Sequence, residues 1–365
     1  MLLMNEGYMM NTFLCDVIVL TWNHLGETKK FFDSLLPSTN LPIRIILVDN
    51  ASTDGTREYL KELKASLGDK LELILNDENV GFVRGVNQGF SYSKSPHVCL
   101  ANNDLIFTKG WLDEMMAVLE KYPSIGMLNP SSNTLGLHPK AQASIDDLAF
   151  DLKRQHPTGF AEMPFCVGFC MVMRRDILDK NRGLSQDYIP MFFEDTDISM
   201  KAKELGYAIG VARGAYVWHK EHGSFKRGSA SDNIFKKSRN TFERKWGKIL
   251  RIAWVENNNQ DLNRDFKQVL LLGQKSNYVT VYVKNTDANR EEVFNSANAF
   301  DHMAIGFKKF KSYPNLVWGL IIKKKKFDLI ITKSQFLRSI VSLMGQKAAL
   351  YPQDQLIANL KKVDR

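Results

Sequence analysis

Short apolar runs alternate with longer amphipathic stretches through the first half of the chain. Each run ends in polar residues, which is typical of strands buried on both faces of a parallel sheet. Between the runs, apolar residues recur at helical spacing, as Phe31, Phe32 and Leu35 do. The predicted strands are Cys15–Leu20, Ile43–Val48, Leu71–Leu75 and Val98–Ala101, and the predicted helices are Gly26–Leu36, Thr56–Leu67 and Trp111–Lys121. This order predicts an α/β fold with a parallel sheet and right-handed crossovers.

The pattern weakens between Asn129 and Pro164, where polar residues, prolines and glycines predict a mobile loop. It is clear again on both sides of that region. The elements predicted there are strands Ile125–Leu128, Phe165–Arg175 and Ala208–Ala212, and helix Ile198–Leu205.

Polar residues stand at the ends of three predicted strands. Thr21 and Asn23 follow the first, Asp49 and Asn50 the second, and Asn102, Asn103 and Asp104 the fourth. The carboxyl ends of parallel strands meet at one edge of a sheet, where α/β proteins bind ligands. A carboxylate beside amide oxygens suits Mg²⁺ or Mn²⁺, whose other positions a diphosphate can fill. An ordinary polar turn is the alternative for residues 102–104.

Three glycines at four-residue intervals open the next helix, namely Gly81, Gly85 and Gly89. Glycines at a helix start let backbone N–H groups approach a phosphate, and Arg84 lies among them. Close packing of the helix on a neighbouring element explains the same spacing. The segment is neither a Walker A loop nor a Gly-x-Gly-x-x-Gly fingerprint.

Three carboxylates, Glu194, Asp195 and Asp197, follow two phenylalanines directly. A helix N-terminus attracts carboxylates, which accounts for one or two of them. A carboxylate against a hydrophobic wall keeps a pKa suited to a general base, so this segment holds the best general-base candidate. His219 follows a later strand, where it serves either as a structural histidine or as a metal ligand with Asp104.

Composition places the chain among globular proteins. It has 365 residues, of which 44% are hydrophobic, enough for two domains. We find no apolar run long enough to span a bilayer and no secretory signal near the N-terminus. Four cysteines lie on or beside apolar runs, and we expect buried free thiols in a reducing cytoplasm rather than a disulfide or zinc site.

Charge divides the chain into two unlike parts. Residues 1–235 hold 24 lysines and arginines against 29 acidic residues, whereas residues 236–365 hold 25 against 11. The basic part, with four consecutive lysines at 323–326, is compatible with anionic lipid head groups, an acidic polymer or nucleic acid. A solvated lysine face explains it equally well. Few aromatic residues stand among these lysines and the first part is net acidic, so we expect no nucleic-acid partner.

The basic part shows its own alternation of strands and helices. The predicted strands are Val269–Gly273, Tyr278–Val283 and Phe327–Thr332, and the predicted helices are Arg290–Phe300 and Ser334–Met344. The pattern predicts a small α/β domain, a degenerate Rossmann-like unit without a phosphate loop.

Residues 14–247 resemble family 2 of the inverting nucleotide-sugar glycosyltransferases, in particular its non-processive rhamnosyltransferase-like branch. The resemblance rests on seven segments in the family's order. They are Val-Ile-Val-Leu-Thr-Trp-Asn (17–23), Val-Asp-Asn-Ala-Ser-Thr-Asp-Gly-Thr (48–56), Asn-Val-Gly-Phe-Val-Arg-Gly-Val-Asn-Gln-Gly (79–89), Leu-Ala-Asn-Asn-Asp (100–104), Gly-Phe-Cys-Met-Val-Met-Arg-Arg (168–175), Phe-Phe-Glu-Asp-Thr-Asp (192–197) and His219. The resemblance implies a GT-A domain over residues 14–261, between an N-terminal extension (1–13) and the small basic domain (262–365).

The resemblance also implies a role for each matching residue. Asp195 corresponds to the catalytic base, with Glu194 and Asp197 at the acceptor. Asp104 and His219 correspond to metal ligands for Mg²⁺ or Mn²⁺. The donor-binding set is Thr21, Asn23, Asp49, Asn50, Arg84, Gly85, Asn87, Asn102 and Asn103. Asn102 stands where the family's Asp-x-Asp motif begins with an acid, so metal binding falls mostly on Asp104.

The implied reaction moves a sugar from a dTDP- or UDP-sugar to a hydroxyl of a glycan or lipid-linked acceptor, with inversion, in surface polysaccharide biosynthesis. We expect it in the cytoplasm, with the membrane's inner face as a contact for the basic domain. Two alternatives stay open. One is a sugar nucleotidyltransferase, although residues 21–26 lack its glycine-rich loop, and the other is a catalytically weak sugar-binding scaffold.

Overall fold

The computed structural model describes residues 13–221, 229–284, 302–323 and 325–351. Within this part the chain divides into two units. The first comprises residues 13–160, 166–221 and 229–241, and the second comprises residues 161–165 together with the described residues from 242 onward.

The elements as far as residue 246 agree closely with the predicted alternation of strands and helices. The strands are β1 (Cys15–Thr21), β2 (Ile43–Asp49), β3 (Leu71–Leu75), β4 (His97–Asn102), β5 (Leu105–Phe107), β6 (Ile125–Ser131), β7 (Phe160–Glu162), β8 (Cys170–Arg174) and β9 (Ala208–His219). The helices are α1 (Leu25–Ser38), α2 (Thr56–Leu67), α3 (Phe82–Tyr92), α4 (Trp111–Lys121), α5 (Ile145–Gln155), α6 (Arg175–Asn181), α7 (Glu194–Glu204) and α8 (Ser229–Trp246).

The sheet of the first unit is mostly parallel. Its strands lie in the order β3-β2-β1-β4-β8-β6-β9-β5, and β1 to β4 are parallel to one another. Strand β8 is antiparallel to both β4 and β6. The chain moves from β1 outward to β3 and then returns to place β4 on the other side of β1. This reversal opens a crevice at the carboxyl ends of β1 and β4, where ligands bind in open α/β sheets.

Both faces of the sheet are covered because successive strand residues point to opposite sides. Val17 and Val19 of β1 share one cluster with Phe31 of α1 and Trp111 of α4. On the other face, α3 packs so closely that a methyl group on Gly89 would lie 2.5 Å from Ile18 Cγ2. The apolar runs are therefore buried on both sides, as expected.

Several predicted elements have different bounds in the structure. Strand β9 continues to His219, seven residues beyond its predicted end at Ala212. The region predicted as a loop contains α5, whose start carries a capping box in which Ser144 and Asp147 bond reciprocally. The predicted strand 165–175 is shorter, since residues 165–169 form a loop that ends in a turn at Gly168 and Phe169, just before β8. Helix α7 begins at Glu194, four residues earlier than predicted, so all three carboxylates lie in its first turn.

All four cysteines are free and buried, as expected. Each lies on or beside a strand core, where a thiol packs as a small apolar group.

The second unit contains a parallel sheet with Rossmann-like strand order, which confirms the predicted α/β domain. Its strands are β10 (Arg251–Glu256), β11 (Tyr278–Lys284), β12 (Ile305–Phe310), β13 (Leu329–Thr332) and β14 (Ala348–Leu350), in the order β12-β11-β10-β13-β14. Its helices are α9 (Asn259–Gln274), α10 (Tyr313–Ile322) and α11 (Gln335–Leu343).

The strand predicted over Val269–Gly273 is wrong, because these residues lie inside α9. Leu262, Val269 and Leu272 are buried along one side of that helix, a spacing that the short apolar run conceals. The helix predicted over Arg290–Phe300 lies outside the described residues. In the part of the chain that the structure describes, no helix has the length and apolar character needed to cross a membrane.

Candidate active site

The ends of β1 and β2 are joined by a polar network that shapes the edge of the crevice. The Asn23 backbone N–H donates to Ser52 Oγ at 2.7 Å, and its side-chain Oδ1 accepts from Thr53 N at 2.8 Å. Asn23 holds a left-handed conformation with φ of 57°, which asparagine tolerates better than most residues. Thr21 is buried and donates to Val48 O at 3.3 Å. Thr21 and Asn23 therefore hold the loops that follow β1 and β2.

Asp49 lies inside the protein rather than at the surface of the crevice. Its carboxylate is fully buried and pairs with Arg57 Nε at 3.0 Å. It also accepts from the Ser52 N–H at 3.2 Å. These partners enclose the carboxylate, and the donor-binding role that the resemblance implies for Asp49 stays a prediction.

Asn50 organises the loop that leads into α3. Its Nδ2 donates to Asn79 Oδ1 at 2.7 Å, and its Oδ1 accepts from Val80 N at 3.0 Å and from Asn76 Nδ2 at 3.2 Å. The amide is 2% exposed, so Asn50 positions the start of α3 from within.

The first turns of α3 divide the predicted donor residues into two groups. Arg84 is exposed, and no hydrogen bond or ion pair joins its side chain to the described residues. Gly85 faces β1 instead, where a methyl group would lie 2.5 Å from Leu20 Cδ1, and its N–H donates to Gly81 O. Asn87 uses both ends of its amide on the backbone of Leu184, at 2.8 Å each. Arg84 is thus available to a ligand, whereas Gly85 and Asn87 support the fold.

Asp104 and His219 face each other although 115 positions separate them. Asp104 Oδ1 lies 3.1 Å from His219 Nε2, and the two side chains are 15% and 13% exposed. The backbone brings them together, because Leu105 of β5 pairs with His219 of β9 and Lys220 N donates to Asp104 O. The predicted metal ligands are therefore adjacent.

The contacts around His219 indicate which ring nitrogen carries the proton. Thr134 Oγ1 donates to Glu221 Oε1 at 2.9 Å, so it accepts from His219 Nδ1, which lies 2.9 Å away. In the neutral imidazole, Nε2 then presents a lone pair toward Asp104. Two electron-pair donors that face each other match a cation site, and histidine ligands of metals are usually held through the other nitrogen in this way.

The residues next to Asp104 show how many ligands the protein offers. The backbone N–H of Asn102 donates to Phe169 O at 2.8 Å, and Asn103 Nδ2 donates to Thr28 Oγ1 at 3.2 Å. Among the described residues, no group of three or more His, Cys, Asp or Glu side chains is arranged to hold a metal. A cation at Asp104 and His219 would thus take its remaining ligands from a bound molecule or water.

Asp195 lies in the first turn of α7 with its carboxylate held by the backbone. Its Oδ2 accepts from Gly168 N at 2.9 Å, and its Oδ1 accepts from Thr196 N at 2.6 Å and Thr196 Oγ1 at 3.1 Å. Burial raises the pKa of this carboxyl above its ordinary value, and these hydrogen bonds oppose the rise. The result is a fixed carboxylate of increased basicity, which suits proton abstraction.

Glu194 and Asp197 have different surroundings from Asp195. Glu194 is 8% exposed, and its Oε2 is buried with no hydrogen-bond partner among the described residues. Burial, and then the neighbouring Asp195, raise the pKa of Glu194 to about 8. Asp197 is fully buried, with Tyr188 Oη and Lys201 Nζ each 3.2 Å from one carboxylate oxygen. The carboxylate of Asp197 is closed off from solvent, so these contacts indicate a structural role rather than the predicted contact with the acceptor.

A dipeptide in the turn before β8 connects the candidate base to the candidate metal ligands. Gly168 donates its N–H to Asp195, and the ring of the next residue, Phe169, stacks on His219 with centroids 5.4 Å apart. Adjacent Cα atoms are only about 3.8 Å apart. Asp195 and His219 are therefore held by two adjacent residues of one turn. Thr134, Glu221, Gly168 and Phe169 were not assigned roles from the sequence, because their contacts join distant parts of the chain.

Comparison with known proteins shows which family part of this chain resembles. Residues 16–182 match the model of the family described as glycosyl transferase family 2. Two curated relatives are "Uncharacterized protein y4gI" of Sinorhizobium fredii, 24% identical over 59% of this chain and 25% of the relative, and an N-acetylglucosaminyl-diphospho-decaprenol L-rhamnosyltransferase of Mycobacterium tuberculosis, 23% identical over 58% and 78%. The chain thus spans about a quarter of the length of the first. These matches confirm the resemblance drawn from the motifs.

The fold has a counterpart among solved structures. The crystal structure of GalNAc-T7 with UDP, GalNAc and Mn²⁺ superposes with a TM-score of 0.52 at 14% identity, over 66% of this chain and 50% of that chain. This likeness confirms a GT-A-like fold. Asp195 and His219 lie beyond the residues that the family model matches, so the roles predicted for them stay predictions.

Proposed function

With residues 16–182 matching glycosyl transferase family 2, we propose that this protein is an inverting glycosyltransferase that uses a nucleoside-diphosphate sugar. The observation that supports the proposal is the Gly168–Phe169 dipeptide, because Gly168 donates its N–H to Asp195 and the ring of Phe169 stacks on His219. A base and a pair of cation ligands close to one turn are two parts that such a transfer requires.

The donor occupies the crevice at the carboxyl ends of β1 and β4 in this proposal. Thr21, Asn23 and Asn50 shape its edge, and the exposed Arg84 at the start of α3 contacts the diphosphate. The α3 N-terminus adds a favourable partial charge for the same anion. Asn102 and Asn103 offer amide groups at the end of β4.

A divalent cation fits the Asp104–His219 pair. The pair presents a carboxylate oxygen and an imidazole nitrogen whose other ring nitrogen is held by Thr134. A mixed oxygen and nitrogen donor set favours Mn²⁺ over Mg²⁺, since Mg²⁺ prefers oxygen alone. When bound, the cation would offset the negative charge that grows on the leaving diphosphate.

Asp195 supplies the base. Its Oδ2 accepts one hydrogen bond from the described residues, from Gly168, and retains a lone pair for an acceptor hydroxyl. The deprotonated hydroxyl oxygen forms a bond to the anomeric carbon, the bond to the diphosphate breaks on the opposite face, and the proton stays on Asp195. One such displacement inverts the anomeric configuration.

The acceptor in this proposal is a glycan or a lipid-linked sugar in surface polysaccharide biosynthesis, at the cytoplasmic side of the membrane. The name of the Mycobacterium tuberculosis relative specifies a sugar carried on a polyprenyl diphosphate, which supports this acceptor class. A dTDP-sugar such as a rhamnose donor is the matching donor class, with UDP-sugars as the second choice.

Donor hydrolysis and transfer test the proposal together. We expect slow release of nucleoside diphosphate from one member of a dTDP-, UDP- and GDP-sugar panel with Mn²⁺, and faster release when a lipid-linked acceptor is added. Failure of every donor to react, despite binding, would identify a sugar-binding scaffold. Pyrophosphate release from a nucleoside triphosphate and a sugar 1-phosphate would identify a nucleotidyltransferase.

A further inference from the structure

Helices α10 and α11 cover one face of the sheet in the second unit. Leu316 and Leu320 of α10 and Leu337 of α11 share a buried cluster with Val255 and Ile330 of the sheet. The inner sides of both helices are thus occupied by the core. Their outer sides meet solvent.

Those outer sides are unusually apolar. Helix α10 contains no charged residue, and α11 contains only Arg338. Trp318 and Ile322 of α10 are 65% and 61% exposed, and Phe336 and Leu343 of α11 are 64% and 87% exposed. A surface helix normally turns charged residues outward, and a contiguous exposed apolar patch marks an interaction site.

Lysines border the same patch. Residues 302–351 contain ten lysines and arginines and a single acidic residue, Asp328, whose carboxylate is bonded by Lys248. Both helices end near the amino-terminal ends of the parallel strands. Lys323, Lys325 and Lys326 follow α10 there, and Lys347 follows α11.

The cations of this edge lie close together. Burial, and then nearby Lys308 and Arg251, lower the pKa of Lys323. Lys308 and Lys325 are exposed and form no ion pair with any carboxylate in the part of the chain that the structure describes. Positive charge is therefore left unneutralised beside the apolar side chains.

We propose that this docking face, formed by Trp318, Ile322, Phe336, Leu343, Lys308 and Lys325, binds a membrane surface that contains anionic lipid. Apolar and aromatic side chains enter the boundary between head groups and acyl chains, while lysines contact lipid phosphates, as in other interfacial helices. A second copy of the chain is a poorer occupant, because self-association would bring two basic surfaces together. The inference does not depend on the transfer reaction, since every residue in it belongs to the second unit.

Co-sedimentation of the full-length protein with vesicles tests the docking face. We expect binding to phosphatidylcholine vesicles that contain phosphatidylglycerol to be about tenfold tighter than to phosphatidylcholine alone, and to weaken as salt is raised. The double variant W318S/L343S should lose about tenfold in affinity for the anionic vesicles, and K308E/K325E should lose at least as much.

Matched variants in the first unit serve as controls. F150S removes a side chain that is 70% exposed, and K61E/K70E makes the same charge change on exposed lysines. Both should bind anionic vesicles like the wild type, and thermal unfolding should confirm that every variant is folded. Equal binding to neutral and anionic vesicles, or unchanged binding by folded W318S/L343S and K308E/K325E, would overturn the proposal. The proposal would also fail if the wild type were a dimer and W318S/L343S were a folded monomer that binds anionic vesicles as tightly as the wild type does.

Discussion

Asp104 Oδ1 and His219 Nε2 lie 3.1 Å apart at the end of paired strands, with Thr134 on the other side of the imidazole. The hydrogen bond from Nδ1 to Thr134 leaves Nε2 as an electron-pair donor in the neutral ring. In the proposed function this pair holds a cation. Phe169, stacked on the same imidazole, belongs to the turn whose Gly168 N–H is bonded to Asp195.

Metal binding should depend on both members of this pair and on their support. We expect D104N and H219A to abolish measurable Mn²⁺ binding in the presence of nucleoside diphosphate. T134A should weaken it about tenfold, because the ring loses the partner that fixes its orientation. Titration calorimetry measures each effect, and H138Q, at an exposed histidine, is the matched control. Wild-type Mn²⁺ affinity in D104N would remove Asp104 from the site.

Transfer should depend on the carboxylate of Asp195. We expect D195N to lower kcat by about 10²–10⁴-fold, the usual contribution of a general base, with donor affinity unchanged. Because burial raises the pKa of Asp195, the rate should rise with pH through a value above the ordinary aspartate range. Nucleoside diphosphate release across a pH series measures both effects. D187N, at an exposed carboxylate nearby, should retain full activity, and equal turnover in D195N would exclude this mechanism.

The free energy of unfolding should decrease as pH rises because of Glu194. Its pKa of about 8 in the folded protein lies above its value in the unfolded chain, so the folded state holds a proton that the unfolded state has released. Stability is then greatest below the unfolded pKa and declines until pH passes about 8. E194Q should remove this decline and gain stability relative to the wild type, on the order of a few kcal/mol at pH 9.

Urea unfolding of E194Q and the wild type at pH 5 and pH 9 measures that difference. E58Q, at an exposed glutamate, is the control and should follow the wild type at both values. An E194Q difference that does not grow with pH would show that Glu194 is ionised in the folded protein.

Close packing of α3 against β1 should explain why position 85 is a glycine. We expect G85A to destabilise the protein by about 1–3 kcal/mol, since the added methyl group meets Leu20 and crowds a filled core. G26A places the same methyl group in α1 with no atom within 4 Å and should be neutral or stabilising by about 0.5–1 kcal/mol. Denaturant unfolding compares the two. A stable G85A protein with impaired donor binding would instead assign Gly85 to the phosphate site.

The sequence predicts where the strands end but not whether the residues that follow them are buried or accessible. Asp49 and Asp104 each follow a buried strand, and nothing in their local sequence distinguishes them. Asp49 proves to be enclosed by Arg57 and Ser52, whereas Asp104 remains accessible beside His219. The partner that makes the difference for Asp104 is 115 positions away.

The amino-acid sequence alone predicts the alternation of strands and helices, the family resemblance and the sheet edge at which polar residues gather, because periodicity and the residues at strand ends are local properties. The tertiary structure decided which of those residues reach a ligand. In the structure Asp197 is buried and bonded to Tyr188 and Lys201, and Asn87 is bonded to Leu184. Arg84 is exposed. Burial and hydrogen-bond pairing depend on contacts between distant segments, and these contacts exist only after the sheet has formed.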